Sequence, residues 1–188
     1  RDSLTPREIY ESKIEELQKT LMDDDCWLPW HAREISPLTK NAFLKVSSNN
    51  HTENADVIRS GIDRKIGKDE NCLTVPFGTT IEYRFDKPEH VGVARLVFDS
   101  DFNNHKRMPC FYPTSGYDAE IPETLIKEFS IEVQKGSSDK WEEVFYCEDN
   151  FKRHVKINID QDNVKAIKFV PVSSWGSETA RIFAFDVR

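Results

Sequence analysis

The stretch DDDCWLPWHARE, residues 23–34, places several chemically versatile side chains within twelve positions. Its three consecutive aspartates and His31 could ligate a metal ion, because carboxylates suit Ca²⁺ and a mixture of carboxylate and imidazole suits transition metals. Consecutive side chains rarely converge on one ion without a glycine turn like that of an EF-hand, so a solvated acidic loop is favoured. Asp56, Asp63 and Asp69 form a second weak candidate set, again favoured as a surface loop, and we predict no metal site.

Aromatic side chains at predicted loops offer a different chemistry, since their flat faces could stack on sugar rings while polar neighbours hydrogen-bond the hydroxyl groups. The candidate ligand-binding residues are Trp30, His31, Arg107, Tyr112, Tyr117 and Trp175. The alternative is that these rings, like Trp27, cover the core or fill a joint between domains, because spaced aromatic residues usually pack. Trp141 lies inside a predicted strand and is expected in the core.

No motif in the sequence indicates catalysis within the chain. It contains neither G-x-G-x-x-G nor G-x-x-x-x-G-K-[ST], and it lacks a G-x-S-x-G nucleophile elbow. The four cysteines, Cys26, Cys72, Cys110 and Cys147, form no C-x-x-C pair. Buried thiols are the favoured interpretation, and an oxidising compartment would allow three pairings.

The charge balance argues against nucleic acid as a partner. The 188 residues include 33 acidic and 26 basic side chains, with a formal net charge of -7, and they form no basic face that could neutralise a phosphate backbone. No apolar run approaches the roughly 20 residues that a membrane-spanning helix requires. We therefore expect no membrane span.

Local signals predict a helix over residues 4–22. Thr5 is placed as N-cap, Pro6 as the first helical residue and Glu8 as the partner in a capping box. An apolar stripe at helical spacing follows at Tyr10, Ile14, Leu17 and Leu21. Asp23, Asp24 and Asp25 disfavour a helix C-terminus, so the helix should end near residue 22.

From about residue 42 the pattern changes to short β-prone runs separated by turns. They are AFLKVS, CLTVPF, TTIEYRF, VGVARLVF, KEFSIEVQK, WEEVFYC, HVKINI, VKAIKFVPV and RIFAFDV. No long helical pattern interrupts them, so an antiparallel β-sandwich is predicted, with eight or nine strands and with VGVARLVF at its centre. Residues 100–122 should form a long loop between two strands, and long ordered loops are often functional.

Three stretches carry a family resemblance: IEELQKTLMDDDCWLPW at residues 14–30, ARLVFDSDFN at 94–103 and KAIKFVPVSSWGSETARIFAFDVR at 165–188. They resemble the C-terminal region of FAD-dependent oxidoreductases found in Bacteroides-like and other polysaccharide-using bacteria. The resemblance implies a helical connector and joint over residues 1–41, followed by a galactose-binding-like jelly-roll sandwich over residues 42–188. DDDCWLPWHARE would then be the joint between the two parts of the parent protein.

The same resemblance implies a noncatalytic C-terminal domain that positions or stabilises a flavoenzyme, with FAD and the catalytic residues in a separate N-terminal domain. It also suggests a location outside the cytoplasm. Two alternatives remain open from the sequence. The sandwich could be a carbohydrate-binding module that uses its loop aromatics, or a protein-interaction module if the N-terminal helix exposes its apolar face.

Overall fold

The computed structural model describes residues 5, 8–9, 12–13, 16, 32–47, 52–101, 121–136 and 138–188. In the N-terminal segment, Glu8, Ile9, Ser12, Lys13 and Glu16 are helical. The predicted capping box is confirmed: the Thr5 amide donates to Glu8 Oε2 at 2.6 Å, and the Glu8 amide donates to Thr5 Oγ1 at 3.3 Å. Hydrogen bonds from the Thr5 hydroxyl and amide lower the pKa of Glu8. The predicted apolar stripe lies outside the described residues.

The rest of the described chain is mainly β-structure. A short helix, Pro37–Asn41, and a kinked 3₁₀ helix, Thr52–Arg59, flank the first strand. The strands are β1 (Phe43–Val46), β2 (Leu73–Pro76), β3 (Ile81–Phe98), β4 (Ile126–Lys135), β5 (Trp141–Cys147), β6 (His154–Ser174) and β7 (Thr179–Val187). The nine predicted runs map onto these seven strands, because two pairs of runs merge into β3 and β6. Within the described residues no helix is both long and apolar enough to cross a membrane.

Bends in β3 and β6 convert one hydrogen-bonded sheet into two packed layers. These strands pair antiparallel from Ile81 opposite Phe169 to Val97 opposite His154, and their register shifts three times between Arg84 and Val93. Such bulges bend a strand pair and increase its twist. Layer A therefore contains β1, residues 81–84 of β3, residues 166–174 of β6, β4 and β5. Layer B contains β2, β7, residues 94–98 of β3 and residues 154–157 of β6.

Aromatic side chains join the two layers through the core. Phe98 on layer B meets Phe129 on layer A edge-on, with ring centroids 5.3 Å apart. Tyr83 on layer A stacks on Phe185 of layer B at 4.9 Å, and its hydroxyl donates to the Phe185 carbonyl at 2.8 Å. All four rings are fully buried, so the phenol finds a partner as buried tyrosines usually do. The predicted antiparallel sandwich is confirmed, and so is the central position of VGVARLVF, which pairs with both β6 and β7.

Residues 33–39 attach to the last strand of the sandwich. Thr39 is fully buried, and its hydroxyl accepts from the Val187 amide at 2.7 Å and donates to the Val187 carbonyl at 3.1 Å. Ser36 caps the short helix by accepting from the Thr39 amide at 3.1 Å. Arg33 Nη1 lies 3.0 Å from Oδ2 of the fully buried Asp186. The domain boundary between residues 41 and 42 stays a prediction.

Candidate functional site

One end of the sandwich brings together residues 121–127, 148–153 and 175–178, which we call the loop end. The backbone amide of Trp175 donates to the Leu125 carbonyl at 3.1 Å, and that of Asn150 donates to the Lys127 carbonyl at 2.8 Å. The β5–β6 and β6–β7 loops are thus both tied to the chain around the start of β4. The predicted 100–122 loop enters β4 at this end, although residues 102–120 lie outside the described residues.

Asn150 fixes the β5–β6 loop from inside. Its side chain is only 5% exposed, and its Nδ2 donates to the Ile126 carbonyl at 2.8 Å and to the Lys152 carbonyl at 2.9 Å. Its Oδ1 accepts from the Lys152 amide at 3.0 Å. Buried amide side chains with both ends hydrogen-bonded hold a single conformation, because breaking the network leaves unsatisfied polar groups. Phe151 lies between Asn150 and Lys152, which this network holds, so its position on the loop is fixed.

Trp175 is the one sequence-predicted site residue that the described structure contains, and it lies at the loop end. Its Nε1 donates to the Asn150 carbonyl at 2.7 Å, and its half-buried ring packs against the core. The Lys127 ammonium lies 5.0 Å from the ring centroid and 3.4 Å from the Asp149 carboxylate. These contacts are those of a packing residue, which is the alternative weighed for it above. A ligand-binding role for Trp175 stays a prediction.

Phe151 is an exposed aromatic residue that the sequence analysis missed. It is 69% exposed, and the Lys152 ammonium lies 5.9 Å from its ring centroid. A phenylalanine left in water on a fixed loop is unusual, because burying such a ring is worth about 1.5–3 kcal/mol. The signal in the sequence was a single aromatic residue within the polar turn EDNFKR between two predicted strands.

The remaining predicted site residues, Trp30, His31, Arg107, Tyr112 and Tyr117, lie outside the described residues, as do Cys26, Cys110 and the three aspartates at 23–25. Cys72 and Cys147 are free thiols.

The second weak calcium candidate is dispersed. Asp56 pairs with Arg59 at 2.5 Å, whereas the Asp63 carboxylate lies 2.8 Å from Arg95 and 3.5 Å from Arg33. In the part of the chain that the structure describes, no group of three or more potential metal ligands converges.

The prediction that Trp141 lies in the core is wrong. Trp141 stands opposite Gln134 in the β4–β5 register, and Gln134 alternates with the core residues Ile131 and Val133. Side chains opposite one another point to the same side of a sheet, so Trp141 lies on the outer face of layer A. Its half-buried ring has the Lys168 ammonium 4.4 Å from its centroid.

No protein-family model matches the chain, and no curated protein matches it. Solved structures do match. The family 32 carbohydrate-binding module of Streptococcus pneumoniae EndoD aligns with a TM-score of 0.55 and 12% identity, over 80% of this chain and 97% of that one. Chitosan-binding module 1 of a Paenibacillus sp. IK-5 chitosanase/glucanase aligns with a TM-score of 0.54 and 12% identity, over 80% and 97% of the two chains.

A third match is the family 32 module of Clostridium perfringens NanJ, solved in complex with galactose. It aligns with a TM-score of 0.52 and 12% identity, over 81% of this chain and 97% of that one. The protein is therefore a galactose-binding-like β-sandwich, and the predicted fold class is confirmed. At 12% identity the likeness establishes the fold alone, because sandwiches of this class support many unrelated sites.

Proposed function

We propose that this chain is a noncatalytic carbohydrate-binding module whose loop end holds a glycan against Phe151 and Trp175. The observation that carries the proposal is Phe151, which is 69% exposed on a loop that Asn150 fixes from within. A ring held in place before the ligand arrives loses little conformational freedom on binding, so more of the stacking energy becomes affinity. The C–H faces of sugar rings suit such a surface.

The polar groups around Phe151 fit the same ligand class. Lys152 and the Lys127–Asp149 pair lie beside the two rings and can exchange hydrogen bonds with hydroxyl groups. The structures that share this fold are named as carbohydrate-binding or chitosan-binding modules, and one was solved with galactose. These likenesses support the carbohydrate-binding alternative over a purely structural role.

Substitution of Phe151 tests the proposal. We expect Phe151→Ala to weaken glycan binding by about tenfold or more, since burying the ring is worth about 1.5–3 kcal/mol and 1.4 kcal/mol is a factor of ten. Isothermal titration calorimetry against the sugars that bind the wild-type protein measures the loss. Phe43→Ala is the matched control, because Phe43 is 67% exposed but lies on edge strand β1. Equal affinities for the wild type and Phe151→Ala would refute the proposed site.

We also propose, on the sequence resemblance alone, that the module belongs to a larger FAD-dependent oxidoreductase that acts outside the cytoplasm. In that setting the flavin and its ligands belong to the N-terminal domain, and the sandwich positions or stabilises the enzyme near polysaccharide. The intact mass and visible absorption spectrum of the protein purified from its native locus test this context. A heavier chain with a flavin spectrum would support it, and a chain of about this length without a chromophore would contradict it.

A further inference from the structure

Three aromatic residues follow one another at intervals of five positions along β5 and the loop after it: Trp141, Tyr146 and Phe151. We call them the aromatic strip. Tyr146 stands opposite Ser130 and Trp141 opposite Gln134, so both side chains lie on the outer face of layer A. Tyr146 is 43% exposed. The strip therefore leads from the outer face of the sandwich to the loop end without entering the core.

The half-buried ring of Trp141 lies beside an ion pair on the outer face of layer A. The Lys168 ammonium is 4.4 Å from the ring centroid and 2.9 Å from the Glu132 carboxylate, yet the Lys168 side chain is only 15% exposed. A lysine that covered the ring from outside would be open to water. The ring therefore covers the ion pair, and because Trp141 is only half-buried, part of it is accessible to a ligand.

Tyr146 is held in place by its hydroxyl, which donates to Glu128 Oε1. Glu128 Oε2 in turn accepts from Ser173 Oγ at 3.3 Å. The middle member of the strip is thus oriented by two neighbouring strands of layer A, as a stacking residue must be to bind without a large ordering cost.

The charges around the strip favour a neutral ligand. Lys168 is paired with Glu132, and Arg84 is paired with Glu82 at 2.6 Å on the same face. Glu143 stands exposed opposite Glu132, so the carboxylates beside the strip would repel an acidic ligand while accepting hydrogen bonds from hydroxyl groups. Flat rings with carboxylate acceptors beside them match a neutral sugar chain rather than an ionic partner.

We propose that the ligand is an extended neutral glycan chain that runs from the loop end along the outer face of β5 and stacks on Trp141. The inference rests on the proposed function, because the chain begins at the same loop end. Tyr146 and Trp141 stand opposite Ser130 and Gln134, which are four positions apart on β4, or roughly 13 Å at about 3.3 Å per residue. A single sugar ring cannot contact both, so the strip selects for chain length.

Affinity electrophoresis and calorimetry can measure that selection. The polysaccharides are soluble galactan, mannan, xylan and β-glucan, and the short ligands are galactose, mannose, xylose and glucose. We expect the wild-type protein to bind one polysaccharide at least tenfold more tightly than its monosaccharide. Trp141→Ala should abolish this gain and leave monosaccharide affinity unchanged, and Trp141→Phe should restore most of it. Phe43→Ala, on the same outer face but the opposite edge strand, should change neither affinity.

The outcomes separate this inference from the proposed function. If Phe151→Ala abolishes binding while Trp141→Ala leaves polysaccharide affinity intact, the loop-end site stands and the extension along β5 is wrong. Equal affinity of the wild type for a polysaccharide and its monosaccharide also overturns the extension. If none of the eight carbohydrates binds, the proposed function fails and the extension fails with it. Thermal unfolding of each variant verifies that a loss of binding is not a loss of fold.

Discussion

The two outer faces of the sandwich are built differently. On layer B, Arg95 stands opposite Asp186, and these charged residues are 5% and 0% exposed. Val97 and Phe183 on the same face are also buried. On layer A, Tyr146 and Val172 are 43% and 40% exposed. One face is closed and rich in paired charge, whereas the other presents aromatic and aliphatic side chains to solvent.

The two faces have different roles: layer B stabilises the fold, and the outer face of layer A is available to a ligand. The charges of layer B hold the chain together, because the buried Asp186 contacts Arg33 at 3.0 Å and the half-buried Arg181 contacts Asp99 at 2.6 Å. Buried ion pairs must keep all their partners, since removing one leaves an uncompensated charge. On layer A, the Lys168–Glu132 pair lies against the ring of Trp141, which is only half-buried. A ligand on layer A therefore need not break any contact that maintains the fold.

Replacing Asp186 should have the largest effect on stability. Asp186→Ala leaves Arg33, whose side chain is 11% exposed, without its closest acid, and it frees the Ser36 amide from its 3.4 Å contact with Asp186. We expect a loss of about 3–5 kcal/mol in the free energy of unfolding, measured by urea denaturation.

The matched control is Asp139→Ala. Asp139 pairs with Lys165 at 3.4 Å, but its side chain is 95% exposed, and exposed ion pairs contribute about 0–1 kcal/mol. Similar losses in the two variants would show that layer B does not depend on its buried charges, and the contrast between the two faces would fail.

Local features of this fold were predictable from sequence, and features set by pairing between distant strands were not. The capping box at Thr5 and Glu8 depends on a spacing of three residues, and it forms as predicted. The β-prone runs were predicted from the sequence. TTIEYRF and VGVARLVF are joined into the single strand β3 by bulges in its pairing with β6, and neither run indicates those bulges by itself. Within the described residues the nine predicted runs therefore form seven strands.

The same limit explains the errors at the candidate site. Whether Trp141 faces the core or solvent depends on its register against Gln134, and a slip of one residue would reverse its side. Phe151 was missed because its importance comes from exposure, and a lone phenylalanine in a polar turn has no periodicity to indicate its environment. Trp175 was selected as a candidate because it falls in a predicted loop, whereas its packing against Lys127 and the core follows from the tertiary structure.

Replacing Thr39 tests how much a single buried side chain that binds β7 contributes to the stability of the fold, with a smaller expected effect than Asp186. Thr39→Val keeps the shape of the side chain but removes two hydrogen bonds to Val187, of 2.7 and 3.1 Å, and leaves both backbone groups buried without that partner. We expect a loss of about 2 kcal/mol in urea denaturation. Thr74→Val is the control, since Thr74 is half-buried on β2 and its hydroxyl makes a weak contact of 3.7 Å with Cys72 Sγ. A comparable loss at Thr74 would mean that the substitution itself, and not the tie to β7, destabilises the sandwich.

The smallest expected effect is the titration of Tyr146 on the open face. The hydrogen bond to Glu128 raises the pKa of Tyr146 to about 12, from 10.0 for a free tyrosine. Because the folded-state pKa lies above the unfolded one, the hydrogen bond stabilises the fold fully below pH 10, and this contribution disappears as the pH rises from about 10 to about 12.

The tyrosinate absorbance of the wild type minus that of Tyr146→Phe isolates this one group. Glu128→Gln removes the negative acceptor and should return the pKa of Tyr146 toward about 10 while leaving the sandwich folded. A wild-type pKa near 10 would mean that Glu128 does not hold the ring. The aromatic strip would then have no fixed middle member, so any preference for long glycans would have to come from Trp141 and Phe151 alone.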